Sequence, residues 1–318
     1  MSIIIPVLDG AYHIANTFKF LSEQKFTDFE IIFVVDTKTT DDTLELIKEN
    51  APVDMDVIVL PQSGDGKLGE ARNIGLDNST GDIIWFLDVD DRPFPDFLSE
   101  MIRIMDEHDA DVVICNFLRS KYLDSTDHEK GESVRVMDSR TAIEARLNEK
   151  IPVTAWSRIT KKELLISNNI RFNHNFSEDI EHTFRLLSAA EKICYYEKPL
   201  YIYYQNARSV YGTSGRDNIR GESEVKAYDD LEAFFANTDI SETFNRLSSY
   251  TRMRSAVHME RKYFVKYAKS ERCRDMIERN IPKKNWEVFL FKWSPTLYYL
   301  MVKTFLDIIF YREGRQYR

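Results

Sequence analysis

Over its first 115 residues the chain alternates short, unbroken apolar runs with stretches of helical periodicity, and this alternation constrains the fold more than any other feature. The runs are Ile3-Ile4-Ile5-Pro6-Val7, Ile31-Ile32-Phe33-Val34-Val35, Val57-Ile58-Val59-Leu60, Ile83-Ile84-Trp85-Phe86-Leu87 and Val112-Val113-Ile114-Cys115. Unbroken β-branched runs of this length predict strands covered on both faces. Between them Ile14, Phe18 and Leu21, then Leu44 and Ile47, then Phe97, Met101, Ile104 and Met105 recur at helical spacing. Such alternation builds a mostly parallel α/β sheet with right-handed crossovers, whose ligands gather beyond the carboxyl ends of the strands. Chemistry is therefore expected in residues 6–9, 36–42, 62–72 and 88–91.

Farther on, residues 124–137 are polar and charged and read as a surface loop. Helical patterning returns at 142–148. Residues 178–204 combine a helix carrying Ile180, Phe184 and Leu187 with an aromatic strand, Leu200-Tyr201-Ile202-Tyr203-Tyr204. Past the glycines of 212–221 the pattern is helical to the end, so a boundary is expected between an α/β domain, 1–215, and a helical region, 216–318. With 43% hydrophobic and 30% charged residues, the composition excludes disordered and collagen-like chains, and 318 residues suit about two domains. Cys115, Cys194 and Cys273 form an odd set without CxxC spacing, which argues against a disulfide framework or a thiolate zinc site and for a reducing cytoplasm. Met1-Ser2-Ile3-Ile4-Ile5 lacks a basic n-region and reads as a strand, not as a signal peptide.

Net charge is −9, but residues 246–318 hold 17 basic and 7 acidic residues, a net +10, which leaves −19 on 1–245. The two ends are expected to face different partners, unless a basic tail docks on an acidic body. The tail mixes Trp286, Phe289, Phe291, Trp293, Tyr298, Tyr299, Phe305 and Phe310 with Lys292 and Lys303. Its apolar segment 297–311 spans about 22 Å as a helix, short of the roughly 30 Å hydrocarbon core. It is expected to lie in the interface of an anionic membrane, or else to pack on the protein's own body or a second subunit. No nucleic-acid-binding module accompanies the charge.

The fourth apolar run leads into Asp88-Val89-Asp90-Asp91. Carboxylates gathered at the mouth of a sheet repel one another, which raises their pKa values unless a cation neutralises them. In an extended segment Asp88 and Asp90 share a side, and a small oxygen set suits Mg2+ or Mn2+ completed by substrate phosphates. A solvated turn explains the same tripeptide, since Asp is common after strands and Arg92-Pro93 follow.

Context extends the signal. Pro6-Val7-Leu8-Asp9, Val35-Asp36-Thr37-Lys38-Thr39-Thr40-Asp41, Ala71-Arg72-Asn73-Ile74-Gly75, Phe86-Leu87-Asp88-Val89-Asp90-Asp91 and Glu178-Asp179 occur in order, and in them the chain resembles the family 2 glycosyltransferases of the GT-A fold. The resemblance implies a GT-A, Rossmann-like catalytic domain with a helical C-terminal extension. It implies an inverting, metal-dependent hexosyltransferase of cell-surface polysaccharide synthesis. Such an enzyme moves a sugar from a nucleotide-diphosphate sugar, a UDP-sugar foremost, to a hydroxyl of a glycan or polyprenyl-phosphate-linked acceptor. Pro6, Val7, Asp9, Asp36, Asp65, Arg72 and Asp88 would contact the nucleotide. Asp90, with Asp88, would hold Mn2+ or Mg2+, and Asp179 would be the catalytic base. Trp156, Arg158 and Glu178 would stand on the acceptor side, and Arg208 and Ser209 near the diphosphate. A cytoplasmic enzyme, peripheral at the inner face of the cell membrane and homo-oligomeric, would fit.

Other readings of the same residues stand beside these. Arg72 makes a surface ion pair in one, and in another Ser177 caps a helix whose first-turn acids Glu178 and Asp179 answer the macrodipole. Trp156 is equally a core residue, and His174 and His182 lack metal-ligand spacing. Thr37-Lys38 stand where many relatives carry a second Asp, Asp9 where Asn is usual, and Lys67 where Gly is usual. Two further classes compete: a non-catalytic nucleotide-sugar-binding relative, and a haloacid-dehalogenase-like phosphohydrolase. The latter also sets Asp-x-Asp after a strand, but expects Thr or Val where Arg92-Pro93 follow here.

Overall fold

The apolar runs all enter one sheet. Its strands are β1 (Ser2–Val7), β2 (Glu30–Asp36), β3 (Asp56–Gln62), β4 (Ile83–Phe86), β5 (Arg92–Pro93), β6 (Val112–Ser120), β7 (Val134–Met137), β8 (Arg158–Lys161) and β9 (Ile193–Tyr204). The computed structural model describes residues 1–62, 67–124, 131–173, 177–205, 217–281 and 286–312. Strand order is β3-β2-β1-β4-β8-β6-β9-β5, with β7 beside β9. β1 pairs in parallel with β2 and β4, β2 with β3, and β6 with β9. Within the row β8 is antiparallel to β4 and β6 and β5 is antiparallel to β9, and β7 likewise runs antiparallel to β9.

The helices of this unit are α1 (Ala11–Ser22), α2 (Thr43–Asn50), α3 (Leu68–Asn78), α4 (Phe97–His108), α5 (Ser139–Leu147), α6 (Lys162–Ser167) and α7 (Glu178–Ala189). Ile3, Ile5, Ile31, Phe33, Trp85 and Met101 are wholly buried in one core, each side chain contributing about 1.5–3 kcal/mol by its removal from water. Trp85 stacks on Phe97 and donates its indole N–H to the carbonyl of Trp156 at 2.8 Å, so the largest core ring keeps its polar atom paired. Pro6 is tolerated inside a central strand because the β4 side of β1 is paired only from Ser2 to Ile4.

Three expectations change. The run Val57-Ile58-Val59-Leu60 is not covered on both faces, because β3 is an edge strand and Val59 stays exposed. Within the supposed loop 124–137, Val134 and Val136 form β7, since β-branched residues paired to β9 outweigh their polar neighbours. Asp88–Asp91 is a turn, closed by the Asp91 N–H on the Asp88 carbonyl at 3.2 Å, and not an extended segment.

The chain divides into two compact units, Met1–Gln205 and Asn206–Arg318. The boundary expected between 215 and 216 lies outside the described residues. The second unit is helical: α8 (Asp217–Phe235), α9 (Ser241–Ser255), a 3-10 turn (Ala256–His258), α10 (Arg261–Ala268), α11 (Glu271–Asn280), α12 (Trp286–Trp293) and α13 (Pro295–Arg312). Phe264, Phe291, Tyr298 and Met253 are fully buried in its core. Phe289, Trp293, Leu297, Leu300 and Met301 are exposed on α12 and α13. Among the described residues no helix is long and apolar enough to cross a membrane. All three cysteines are free and buried.

Candidate functional site

Between β1 and β4 the direction of sheet growth reverses: β2 and β3 are added on one side, β4 on the other. At such a switch point the loops diverge and leave a crevice beyond the strand ends. The loops after β1 and β2 are stitched together there. Asp9, with φ 49°, accepts from the Thr40 N–H at 2.7 Å, Gly10 N–H donates to Thr43 Oγ1 at 2.9 Å, and Ala11 N–H donates to Asp41 at 3.0 Å. Asp36 is buried at the end of β2, and its Oδ1 accepts from the Lys38 N–H at 2.8 Å. Pro6 and Val7 are buried under this rim. Asp65 lies outside the described residues, as do Arg208, Ser209 and His174.

On the β4 side, the Asp88–Asp91 turn is held at three points. Arg72 binds Asp88, Thr17 Oγ1 donates to the Val89 carbonyl at 3.0 Å, and Asp91 accepts from Tyr201 Oη at 2.9 Å and the Tyr204 N–H at 2.8 Å. Asp91 is thus a buried strut, its carboxyl pushed well up by burial and by the charges of Asp90 and Asp88. Burial and the neighbouring Asp88 push Asp90 up to about 6. A cation would relieve that repulsion, and the oxygen donors of Asp90 and Asp88 match the hardness of Mg2+ or Mn2+. Among the described residues no group of three or more His, Cys, Asp or Glu side chains forms a cage. An ion held by Asp90 and Asp88 would have to take its remaining ligands from elsewhere.

Arg72 ties this turn to the start of α7 at the same rim. Its side chain is 1% exposed and lies over the Phe172 ring at 5.1 Å. Nη2 donates to Asp88 at 3.0 Å, while Nη1 donates to Glu178 at 2.8 Å and Asp179 at 3.0 Å. Burial alone would depress the guanidinium, but Asp179, Asp88 and Glu178 hold it firmly charged. One cation cannot neutralise three carboxylates: burial and the charge of Asp179 push Glu178 up to about 8 against the pull of Arg72, and burial raises Asp88 as well. Asp179 completes its contacts through Oδ2, which accepts from the Ala155 N–H at 3.4 Å. Among the described residues Ser177 precedes α7 without a side-chain capping bond, while Glu178 and Asp179 of the first turn both accept from Arg72.

Trp156, Arg158 and Glu178 are all buried. The Trp156 ring stacks on Tyr201 at 4.5 Å and on Tyr203 at 5.6 Å, and Arg158 donates inward to the carbonyls of Val153 and Thr154. The structure therefore gathers Arg72, Asp88, Glu178 and Asp179 into one cluster and sets Asp9 and Asp36 along the neighbouring loops. Sequence reasoning missed Thr17, Tyr201 as the Asp91 partner, and His182. For His182 a signal existed, since it follows Asp179 by three residues on a helix and so shares its face.

Residues 2–165 match the profile of the family described as Glycosyl transferase family 2. Similar curated proteins include the glycosyltransferase GlyG of Streptococcus pneumoniae serotype 4 (strain ATCC BAA-334 / TIGR4), 26% identical over 225 residues, 67% of this chain and 73% of that one. Another is the GalNAc(5)-diNAcBac-PP-undecaprenol beta-1,3-glucosyltransferase of Campylobacter jejuni subsp. jejuni serotype O:2 (strain ATCC 700819 / NCTC 11168), 27% identical over 275 residues, 85% of this chain and 84% of that one. Among solved structures, S. aureus TarS 1-349 in complex with UDP-GlcNAc superposes with a TM-score of 0.69 at 18% identity, over 100% of this chain and 93% of that one, which establishes the same fold. With the family profile matching half of the chain and the rim carboxylates gathered where ligands of this fold bind, the chain belongs to glycosyl transferase family 2.

Proposed function

We propose that this glycosyltransferase uses a nucleotide-diphosphate sugar, a UDP-sugar foremost, and transfers the sugar with inversion to a hydroxyl of a glycan or polyprenyl-phosphate-linked acceptor in cell-surface polysaccharide synthesis. The observation that carries the reading is the Arg72 bridge, in which one buried guanidinium joins the rim turn at Asp88 to Asp179, 107 residues from Arg72. Supporting it, the TarS structure of the same fold holds UDP-GlcNAc, and the Campylobacter relative is named for an undecaprenol-linked acceptor.

In this reading Pro6, Val7, Asp9 and Asp36 line the place of the nucleoside, and Arg72 and Asp88 flank the ribose and diphosphate. Asp90, with Asp88, would hold Mn2+ or Mg2+, which when bound neutralises charge on the departing diphosphate. Asp179 accepts the proton of the acceptor hydroxyl as its oxygen forms a bond to the anomeric carbon. The bond from that carbon to the phosphate oxygen breaks, and its electron pair leaves with the nucleoside diphosphate. Arg72 holds Asp179 through Oδ1 and so aims it. Glu178 stands behind Arg72, and Trp156 and Arg158 shape the acceptor side from beneath. The catalytic domain, 1–215, acts in the cytoplasm. The basic region 216–318, with exposed Phe289 and Trp293, rests on the anionic inner face of the membrane.

The test is release of nucleoside diphosphate from a panel of nucleotide sugars with Mn2+ or Mg2+ in wild type, Asp90→Ala and Asp179→Asn. Metal-dependent release in wild type that Asp90→Ala abolishes supports the reading. Tight donor binding without turnover, even with cell extract as acceptor source, would identify a non-catalytic relative. Flotation with anionic liposomes tests the membrane contact, and a protein that stays in the soluble fraction refutes it.

A further inference from the structure

Arg158 is 2% exposed, yet its contacts among the described residues are with neutral groups. Its Nη1 donates to the carbonyls of Val153 at 3.3 Å and Thr154 at 3.1 Å and to Thr183 Oγ1 at 2.8 Å, and its Nη2 meets His182 Nδ1 at 2.9 Å. Thr183 closes the ring by donating to the Val153 carbonyl at 2.7 Å. A guanidinium has no acceptor, so His182 Nδ1 must accept, which leaves the imidazole proton on Nε2. Nε2 is buried without a partner among the described residues. The ring is clamped flat on Phe172, centroids 3.8 Å apart, with Phe86 edge-on at 6.2 Å. Burial and the charges of Arg158 and Arg72 hold His182 well below its ordinary range, in keeping with an imidazole that accepts from Arg158.

His182 and Thr183 lie one turn beyond Asp179 on α7, and the 153–154 carbonyls immediately precede Ala155, whose N–H points at Asp179 Oδ2 from 3.4 Å. A single buried fork therefore staples the peptide turn that donates to Asp179 onto the helix that carries Asp179. Asp179 is gripped from both sides, by Arg72 on Oδ1 and by the stapled turn on Oδ2. Burial lowers Arg158 to about 10, so the fork stays charged at neutral pH, and the charge of Asp179 supports it.

We propose that Arg158 and His182 are positioning residues that set the register of the 153–155 turn against α7 and thereby aim Asp179 at the acceptor hydroxyl. The inference rests on the reading of Asp179 as the base. It accounts for a buried arginine paid in neutral acceptors: lysine has the charge but not the planar fork that reaches two carbonyls, a hydroxyl and an imidazole together.

The test uses the full chain with UDP-GlcNAc and Mn2+ as the probe, measuring the release of UDP, with UDP affinity by calorimetry and thermal melting alongside. Arg158→Lys and His182→Phe, the latter keeping the stack on Phe172 but removing the acceptor, are each expected to lower kcat about 10- to 100-fold with UDP affinity within about twofold. His182→Asn, which restores an acceptor, should recover part of the rate. In an Asp179→Asn background the penalty of His182→Phe should largely vanish, because the positioned group is already gone. Equal penalties in both backgrounds, or a fall in UDP affinity parallel to that in kcat, would overturn the proposal and leave a structural staple. If Arg158→Lys does not fold, the His182 pair and Thr183→Val decide alone. Failure of the wild type to release nucleotide from any donor of the wider panel would instead remove the reading of Asp179 as the base, and the positioning role with it.

Discussion

Arg72 and Asp179 meet at 3.0 Å although 107 residues separate them, and the same guanidinium holds Asp88 through its other nitrogen. Removing the cation would leave the buried Glu178 and the partly buried Asp88 and Asp179 without compensation. Arg72→Met is expected to destabilise the protein by about 3–5 kcal/mol in urea unfolding and to abolish turnover, with Arg72→Lys intermediate in both. A variant as stable as wild type would show that the cluster is solvated.

Glu178 links the same cluster to pH. Its folded pKa of about 8 lies above the ordinary 4.5, so the folded protein binds this proton more tightly than the unfolded chain does. Between about pH 4.5 and 8 stability must then fall as pH rises, by at most about 1.4 kcal/mol per unit from this group. Glu178→Gln cannot titrate and should flatten that decline. Urea midpoints at pH 5, 6.5 and 8 check this, and parallel curves for the two proteins would count against it.

Glu30 titrates in the opposite sense. Burial would raise it, but hydrogen bonds from Ser2, Thr80 and Gly81 lower it on balance. A depressed carboxyl stabilises the fold above its unfolded pKa and loses that contribution as pH falls through the folded value. Glu30→Gln should cost about 1–3 kcal/mol at pH 7, and the gap to wild type should narrow in acid. Because Glu30 opens β2, at the end of the strand away from the rim, turnover per folded molecule should not change.

Gly75 faces Ile4 so closely that a Cβ would stand 2.2 Å from Ile4 Cγ2. Gly75→Ala is expected to cost about 1–3 kcal/mol and to lower kcat by shifting α3, which carries Arg72. Ile4→Ala removes the obstructing methyl, so the two substitutions together should cost less than their sum in a double-mutant cycle. Additive costs would place the strain elsewhere.

Much of the fold was legible because it is written locally. Runs such as Ile3-Ile4-Ile5 and Ile31-Ile32-Phe33 can be buried only inside a two-sided sheet, and the helical spacing between them sets the crossovers. Weaker elements were not legible: β8 reads Arg-Ile-Thr-Lys, and only its place between β4 and β6 makes it a strand. In the site, the ordered motifs carried Arg72, Asp88, Asp90 and Asp179. They did not reveal that Asp91 is spent on Tyr201 and Tyr204, nor that Trp156 and Arg158 point inward.

The sequence by itself determined the sheet, its rim and the kinds of side chain that stand there, because strand burial and residue type are properties of short stretches of chain. Only the tertiary structure decided which of those side chains share a charge or a hydrogen bond. Contacts such as Arg72 with Asp179 and Arg158 with His182 depend on distances across elements far apart in the chain, and electrostatic and hydrogen-bond energies fall away over a few ångströms.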